Sequence, residues 1–353
     1  MGRNPKFDKI VEWSIEQIRN GKYSPGERFC SENELSEFFS LSRQTVRYAM
    51  SILEEQKYIR KVRGSGTYIC DKLPCINPKT MNIGVISTYF DDYIFPGIIR
   101  GIEDVLSANG YAMQFAMTNN KATRECRALT HLLKTGVDGL IIEPTKSGLP
   151  NRNIKMYEDI NVPVVFFNSD YPSLTYPYIS LNDVEAGHIA VKHLFNRGHK
   201  RIAGIFLHND LQGHRRYLGY LNAHYEMKID ADDENVIWYS TEDLQSLFRN
   251  SERILARIGD CTAVLCYNDQ LAVRFIEMLR ANGIRVPDDI SVIGIDNSEL
   301  SAMCDPPLTT IAHPLDRLGR CAAETLISMI NGQKGQSILF DASLIERKSV
   351  LQK

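Results

Sequence analysis

Eight short apolar runs recur between residues 82 and 296: NIGVIST, YAMQFAMT, GLIIEPT, VPVVFFN, RIAGIFL, ENVIWYS, AVLCYND and ISVIGID. Runs of this length that are hydrophobic throughout, rather than at alternate positions, read as strands buried on both faces. Amphipathic stretches of helical length separate most of them, such as IIRGIEDVLSANG, EAGHIAVKHLFNRG and DQLAVRFIEMLRANG. Strand–helix alternation of this kind builds parallel sheets covered by helices on both sides. About 270 residues is large for one sheet, so the pattern predicts two α/β lobes. In open parallel sheets, ligands bind beyond the carboxyl ends of the strands. Here several of those ends are polar: Ser87 and Thr88, Glu143, Asn168, Asn268 and Asp269, Asp296 and Asn297.

The first 72 residues have a different texture. They carry 13 Lys/Arg against 10 Asp/Glu, whereas the remainder is net −5 in a chain of −2 overall. Phe7, Ile10, Val11, Ile15 and Ile18 are spaced as one face of a helix over residues 7–20, with Gly21 as its stop. SPG at 24–26 is a turn. Ser31 followed by Glu34 is a capping box that opens a second helix running through Phe39. Ser42 is the N-cap of a third, from Arg43 to about Glu55. A strand YIRKV, a glycine-rich tip RGSG and a second strand TYIC follow. Helix, helix, turn, helix and hairpin, in that order, predict a small α+β winged helix-turn-helix. Val46, Met50 and Leu53 face inward. Arg43, Gln44 and Arg47 fall on the other face, in and just after the first turn, where arginine suits guanine and glutamine suits adenine. Arg60, Lys61 and Arg63 on the hairpin suit phosphate or the minor groove, and Gly64 and Gly66 let the backbone come close. The basic charge of this head is therefore expected to face double-stranded DNA.

Residues 71–80, with two prolines, read as an extended linker. The resulting division is a DNA-binding domain over 1–71, a linker over 72–80 and an effector domain over 81–353. None of the eight cysteines forms a C-x-x-C pair, which leaves zinc-ribbon and thioredoxin-type chemistry without support. The N-terminus has no apolar signal core and no apolar run nears ~18 residues, so a cytoplasmic protein away from membranes is expected. Catalytic signatures are missing. After NIGVIST the chain reads YFDDYIFPG, so the dinucleotide-binding fingerprint is absent. No G-x-S-x-G elbow follows a strand. His188 and His193 are not spaced as a helical metal pair, and His199 reads as a loop residue before a strand. The strand-end carboxylates could perform acid–base work and suit hydrogen bonds to sugar hydroxyls equally well, but no partnered base or nucleophile is visible, and the chain is not expected to be an enzyme.

Residues 24–69, through SEN-EL, SRQTVRYA and the GSGT wing, resemble the winged-helix domain of the GntR family of bacterial transcription regulators. The resemblance implies a DNA-contacting set of Asn33, Ser42, Arg43, Gln44, Thr45, Arg47, Arg63, Gly64 and Gly66, with Arg43, Gln44 and Arg47 on bases. Asn33 stands where some relatives carry an arginine. Residues 82 to about 350 resemble the two-lobed, periplasmic-binding-protein-like domain of LacI/GalR repressors, through DGLIIEP, HLFNRGHKRIAGI, RYLGYLNA, CYNDQLAV, VPDDISVIGIDN and PLTTI. The fusion of the two is similar to the arabinose-responsive repressors of Gram-positive bacteria, down to DDYIFPGIIRGIE, TNN and IIEPTKS. That resemblance implies a homodimeric repressor of sugar-utilisation genes, which binds a roughly palindromic operator and is released by L-arabinose with no further cofactor. The implied sugar-binding set is Tyr93, Phe95, Glu143, Asn168, Asp183, Arg216, Asn268 and Asp296. One departure is Asn182-Asp183, where relatives commonly read Asp-Asn. Another pentose or a sugar phosphate is the alternative effector, with Arg216 and Lys146 as candidate phosphate partners.

Overall fold

A computed structural model of the chain describes residues 5–19, 21–62, 64–71, 80–90, 93–146, 154–244 and 246–353. The chain divides into two compact units, residues 1–80 and 81–353. The linker expected over 72–80 lies, apart from Thr80, outside the described residues, as does Arg63.

The first unit comprises helices α1 (Pro5–Arg19), α2 (Glu32–Phe39) and α3 (Arg43–Glu55), then strands β1 (Ile59–Val62) and β2 (Gly66–Ile69). The capping box is formed: Ser31 Oγ accepts from Glu34 N at 3.3 Å and Glu34 Oε2 accepts from Ser31 N at 2.6 Å. It satisfies two helix-end donors that would otherwise lack partners. Ser40 ends α2 in the left-handed region at φ 53°. The two strands pair antiparallel from Ile59↔Ile69 to Val62↔Gly66. Ile10, Leu35, Val46, Met50, Leu53, Ile59 and Ile69 form the core between helices and hairpin. Burial of each such side chain contributes about 1.5–3 kcal/mol.

The second unit is two α/β lobes, each built on a six-stranded sheet. Lobe 1 begins with β3 (Asn82–Ser87), α4 (Phe95–Ala108), β4 (Ala112–Met117), α5 (Ala122–Thr135), β5 (Gly139–Ile142), α6 (Ile154–Glu158), β6 (Val164–Phe167) and β7 (Tyr178–Leu181). The chain then builds most of lobe 2. Its elements are α7 (Asp183–Asn196), β8 (Ile202–Leu207), α8 (Leu211–Met227), β9 (Val236–Tyr239), α9 (Ser251–Ile258), β10 (Ala263–Cys266), α10 (Asp269–Ala281), β11 (Ser291–Asp296), α11 (Glu299–Met303) and β12 (Thr309–Ala312). Finally α12 (Leu315–Ile330) and β13 (Ile338–Phe340) return to lobe 1, and β14 (Ser343–Ile345) to lobe 2. The strand orders are β13-β7-β6-β5-β3-β4 and β14-β12-β11-β10-β8-β9, parallel except for β14.

Three chain crossings therefore join the lobes, at 181–183, 312–315 and 340–343. The first and third are tied together: Asn182 N donates to Phe340 O at 2.9 Å, and Ala342 N to Glu185 Oε2 at 3.0 Å.

In each lobe two helices touch backbone to backbone through glycines. A Cβ on Gly187 of α7 would lie 2.2 Å from the Arg216 carbonyl oxygen, and one on Gly219 of α8 2.1 Å from that of Val184. In lobe 1, Gly101 of α4 and Gly319 of α12 are equally confined, 2.3 Å from Asp316 O and 2.0 Å from Ile98 O. Gly187→Ala should thus force α7 off α8 and cost about 1–3 kcal/mol, measured as a lower urea midpoint at unchanged slope.

Candidate functional site

The cleft between the lobes is lined from lobe 1 by Tyr89, Tyr93, Ile94, Phe95, Asn120 and Lys146. Lobe 2 supplies Leu207, Gln212, Arg216, Tyr239, Thr241, Leu244, Tyr267, Asn268, Gln270 and Asp296. It encloses about 630 Å³, open mouth included. Aromatic and aliphatic side chains supply the walls, and a few charged groups converge on the floor.

Arg216 organises that floor. Its side chain is only 2% exposed. Nε donates to Asp183 Oδ1 at 2.8 Å, Nη1 to the Tyr267 carbonyl at 2.6 Å and Nη2 to Asp296 Oδ1 at 3.4 Å. The guanidinium also lies 4.7 Å from the Tyr267 ring centroid, close enough for a cation–π contact. Burial works against its charge, but Asp183 and Asp296 outweigh burial and raise its pKa further. The two carboxylates diverge. Burial raises Asp183 despite Arg216. At Asp296 burial is overcome by Arg216, His313 and the Tyr93 hydroxyl, and its pKa is lowered. Asp296 sits at the end of β11 with φ 124°, followed by Asn297 at φ 50°. Such backbone costs about 1–3 kcal/mol per residue and persists only where surroundings enforce it.

Several side-chain links span the cleft, among them Lys146 Nζ to Gln212 Oε1 at 3.4 Å. Tyr93 Oη donates to Asp296 Oδ2. Lys146 Nζ lies 3.0 Å from Asp210 Oδ2, Arg215 Nη2 2.7 Å from Asp170 Oδ1, and Gln212 Nε2 3.4 Å from Asn168 Oδ1. The Lys146 pKa is raised: burial opposes its charge, but Asp210 and Glu143 prevail.

The implied sugar-binding residues separate into two layers. Tyr93, Phe95, Arg216, Asn268 and Asp296 line the cleft, and Asn268 Oδ1 also caps α10 through Leu271 N at 2.9 Å. Glu143, Asn168 and Asp183 do not line it. Glu143 is fully buried and accepts from Thr88 N at 2.9 Å, Ser87 Oγ at 3.3 Å, Asn168 Nδ2 at 2.9 Å and the Thr88 hydroxyl. Its oxygens are consumed in holding the β3, β5 and β6 ends together, and burial raises its pKa. Asn168, at φ 62°, bridges Glu143 to Gln212, and Asp183 is taken up by Arg216.

Gln212, Tyr239, Tyr267 and Asn120 were not among the candidates. Gln212 carried a signal, since it precedes Arg216 by four residues and so shares its helix face. Tyr239 and Tyr267 ended runs read only as strand.

On the head, Asn33, Arg43, Gln44, Arg47, Gly64 and Gly66 are exposed. Ser42 caps α3, accepting from Thr45 N at 3.3 Å, with the two hydroxyls 2.9 Å apart. Arg47 is 68% exposed but held by Glu32, with Nη2 at 3.0 Å and Nε at 3.2 Å from Glu32 Oε2. Lys61 Nζ is 3.7 Å from the same carboxylate. The hydrogen bond from Arg47 holds Glu32 below the usual carboxylate range. Arg60 pairs with Asp71 at 3.4 Å. Gly64 and Gly66 have φ of 78° and 128°, and a Cβ on Gly66 would lie 3.3 Å from Arg28 Nε.

Residues 9–69 match the model of the gntR family of bacterial regulatory proteins, and residues 191–350 that of a periplasmic binding protein-like domain. The chain is 37% identical to the arabinose metabolism transcriptional repressor of Geobacillus stearothermophilus, over 98% of this chain and 97% of the relative. It is 36% identical to the protein of the same name from Halalkalibacterium halodurans, again over 98% and 97%. The solved structure of the transcription regulator CcpA of Lactococcus lactis superposes with a TM-score of 0.69 at 26% identity, covering 76% of this chain and 98% of that one.

Arg216→Met should leave Asp183 and Asp296 buried without their cation and cost about 3–5 kcal/mol. Adding Asp183→Asn should recover part of that loss, as read by chemical denaturation of both variants.

Proposed function

The chain belongs to the family of arabinose metabolism transcriptional repressors, and on that footing we propose that it is a homodimeric DNA-binding repressor released from its operator by L-arabinose. It acts in the cytoplasm as a regulator and not a catalyst, and needs no cofactor besides its effector. None of the helices among the described residues is long and apolar enough to cross a membrane.

The observation that carries this reading is the cleft floor. Asp296 and Asn268 offer acceptors and a donor to adjacent hydroxyls, with Arg216 beside them, under aromatic walls that suit an apolar sugar face. The charge balance favours a neutral sugar over a sugar phosphate. Both cations at the cleft, Arg216 and Lys146, are already paired with buried carboxylates. A phosphate would have to break those pairs and leave carboxylates stranded, which is costly in a buried site.

In the proposed mechanism the sugar bridges the lobes, replaces the Tyr93–Asp296 contact and favours one lobe arrangement. In a dimer this changes how two heads match two half-sites. Such coupling typically amounts to about 1–3 kcal/mol, roughly 5- to 150-fold in DNA affinity, and operator DNA must weaken sugar binding by the same factor. On the head, Arg43, Gln44 and Arg47 read bases, and Arg47 leaves Glu32 to do so.

Calorimetric titration with L-arabinose, with D-xylose, D-ribose and D-galactose as controls, tests the effector. Saturable heat with arabinose alone is expected, and its absence would remove the sugar assignment. Asp296→Ala should still bind operator DNA but ignore the sugar; normal release by arabinose would show the site is misplaced. Arg43→Ala should weaken operator binding by about 1–3 kcal/mol and relax base preference. Equal weakening on all sequences would rule out base contact.

A further inference from the structure

Asp269 lies beneath the cleft, outside its lining, with a carboxylate that is completely buried. It is the first residue of α10, directly after Asn268, yet it does not cap that helix; Asn268 does. Its acceptors are spent elsewhere. Oδ2 accepts from Ser298 N at 2.7 Å and Ser298 Oγ at 3.0 Å, and Oδ1 from Thr310 Oγ1 at 2.6 Å. Thr310 Oγ1 in turn accepts from Asn297 N at 3.3 Å. These bonds fasten both ends of the corner at which Asp296 and Asn297 hold positive φ. Arg347 secures it from outside, with Nη2 donating to Asn297 Oδ1 at 2.6 Å. The carboxylate packs directly on Gly294 of β11, where only a hydrogen fits: a Cβ there would lie 2.4 Å from Asp269 Oδ1.

We propose that Asp269 is a positioning residue for Asp296: in its ionised form it clamps the corner that aims Asp296 into the cleft, and on protonation it lets that corner loosen. The proposal rests on the cleft being the effector site. An ionised carboxylate accepts from all three donors, whereas a protonated one donates through one oxygen, so that the Thr310 or Ser298 hydroxyl facing it must turn away from donating to it.

Asp296 faces Asp269 from β11, Cys266 from β10, and Cys304 from just beyond α11. Burial, then the charge of Asp296, push Asp269 up to about 7 despite its hydrogen bonds. Because ionised Asp269 holds Asp296 in the orientation that binds the sugar, sugar binding in turn favours ionised Asp269. By linkage, effector binding tightens as pH rises through this range.

The test uses full-length wild type, Asp269→Asn and Thr310→Val. L-Arabinose is titrated about one pH unit either side of the Asp269 value, and backbone hydrogen exchange of residues 294–299 is followed without sugar. Wild-type affinity should rise by about fivefold across the range. D269N should be pH-independent and stay at the low-pH level of wild type. T310V, which keeps the charge but loses one donor, should bind more weakly at every pH and retain the step. The Asn297 and Ser298 amides should exchange faster in both variants. A wild-type pH profile in D269N would overturn the proposal, as would unchanged exchange in either variant. Should D269N fail to fold, the T310V exchange result decides. Absence of arabinose binding by wild type would instead fault the effector reading, with the exchange comparison still deciding whether Asp269 clamps the corner.

Discussion

A guanidinium held out of water sets the terms for the effector domain. Taking Arg216 and its two carboxylates out of solvent costs several kcal/mol per ion, and that cost is offset only when the geometry is nearly complete. The cluster therefore constrains everything that supplies a partner. Asp183 must begin α7 immediately after the first crossing, β11 must end in a corner that turns Asp296 inward, and Tyr267 must present its carbonyl at the end of β10. Helix α8 delivers Arg216 to this point because Gly187 and Gly219 let it lie against α7 with no side chain between them. The helix packing and the charge cluster are one arrangement seen at two scales.

Much of this was legible in the sequence, for identifiable reasons. Most of the eight apolar runs were found because a strand buried on both faces leaves no polar residue in its middle. Strand β4 is instead a sheet-edge strand with Gln114 in its middle and no residue fully buried, against the expectation of burial on both faces. The capping box at Ser31 and Glu34 and the cap at Ser42 were found because they are local, each complete within four residues. Strands β7, β12, β13 and β14 were not singled out. They lie at or beside the crossings, where long-range pairing, and not an uninterrupted apolar run, defines them. The same limit explains the site. Arg216, Asn268 and Asp296 could be marked from strand ends and from resemblance. That Glu143 spends its oxygens on Thr88, Ser87 and Asn168 is a fact of three strands meeting, and no single stretch of chain encodes it.

The head shows how an exposed charge can be less available than composition suggests. Six basic residues between 41 and 69 gave this segment its character, yet Arg47 and Lys61 share one carboxylate and Arg60 lies against Asp71. Exposed pairs of this kind contribute little, because solvent screens them. Glu32 therefore holds Arg47 in place at little cost to releasing it. An arginine arriving in a defined rotamer loses less conformational entropy on contact than one that samples solvent freely.

The three crossings also govern how the domain can be made. Lobe 1 is assembled from residues 81–181 plus 315–340, and lobe 2 from 183–312 plus 343–353. Neither is a continuous stretch of chain. As the polypeptide leaves the ribosome, the sheet of lobe 1 waits for β13 and the helix face closed by α12, long after its central strands have emerged. The sheet of lobe 2 waits longer still, for β14. Further ties follow β14, where Leu351 O meets His199 Nε2 at 3.1 Å and Lys353 N donates to Arg197 O at 2.8 Å. The small head, by contrast, is complete within its own stretch and is synthesised before the effector domain. Birth order thus leaves a DNA-binding unit able to form early, ahead of the domain that regulates it, and leaves the sheet edges of that domain unfinished until β14 and the residues that follow it are added.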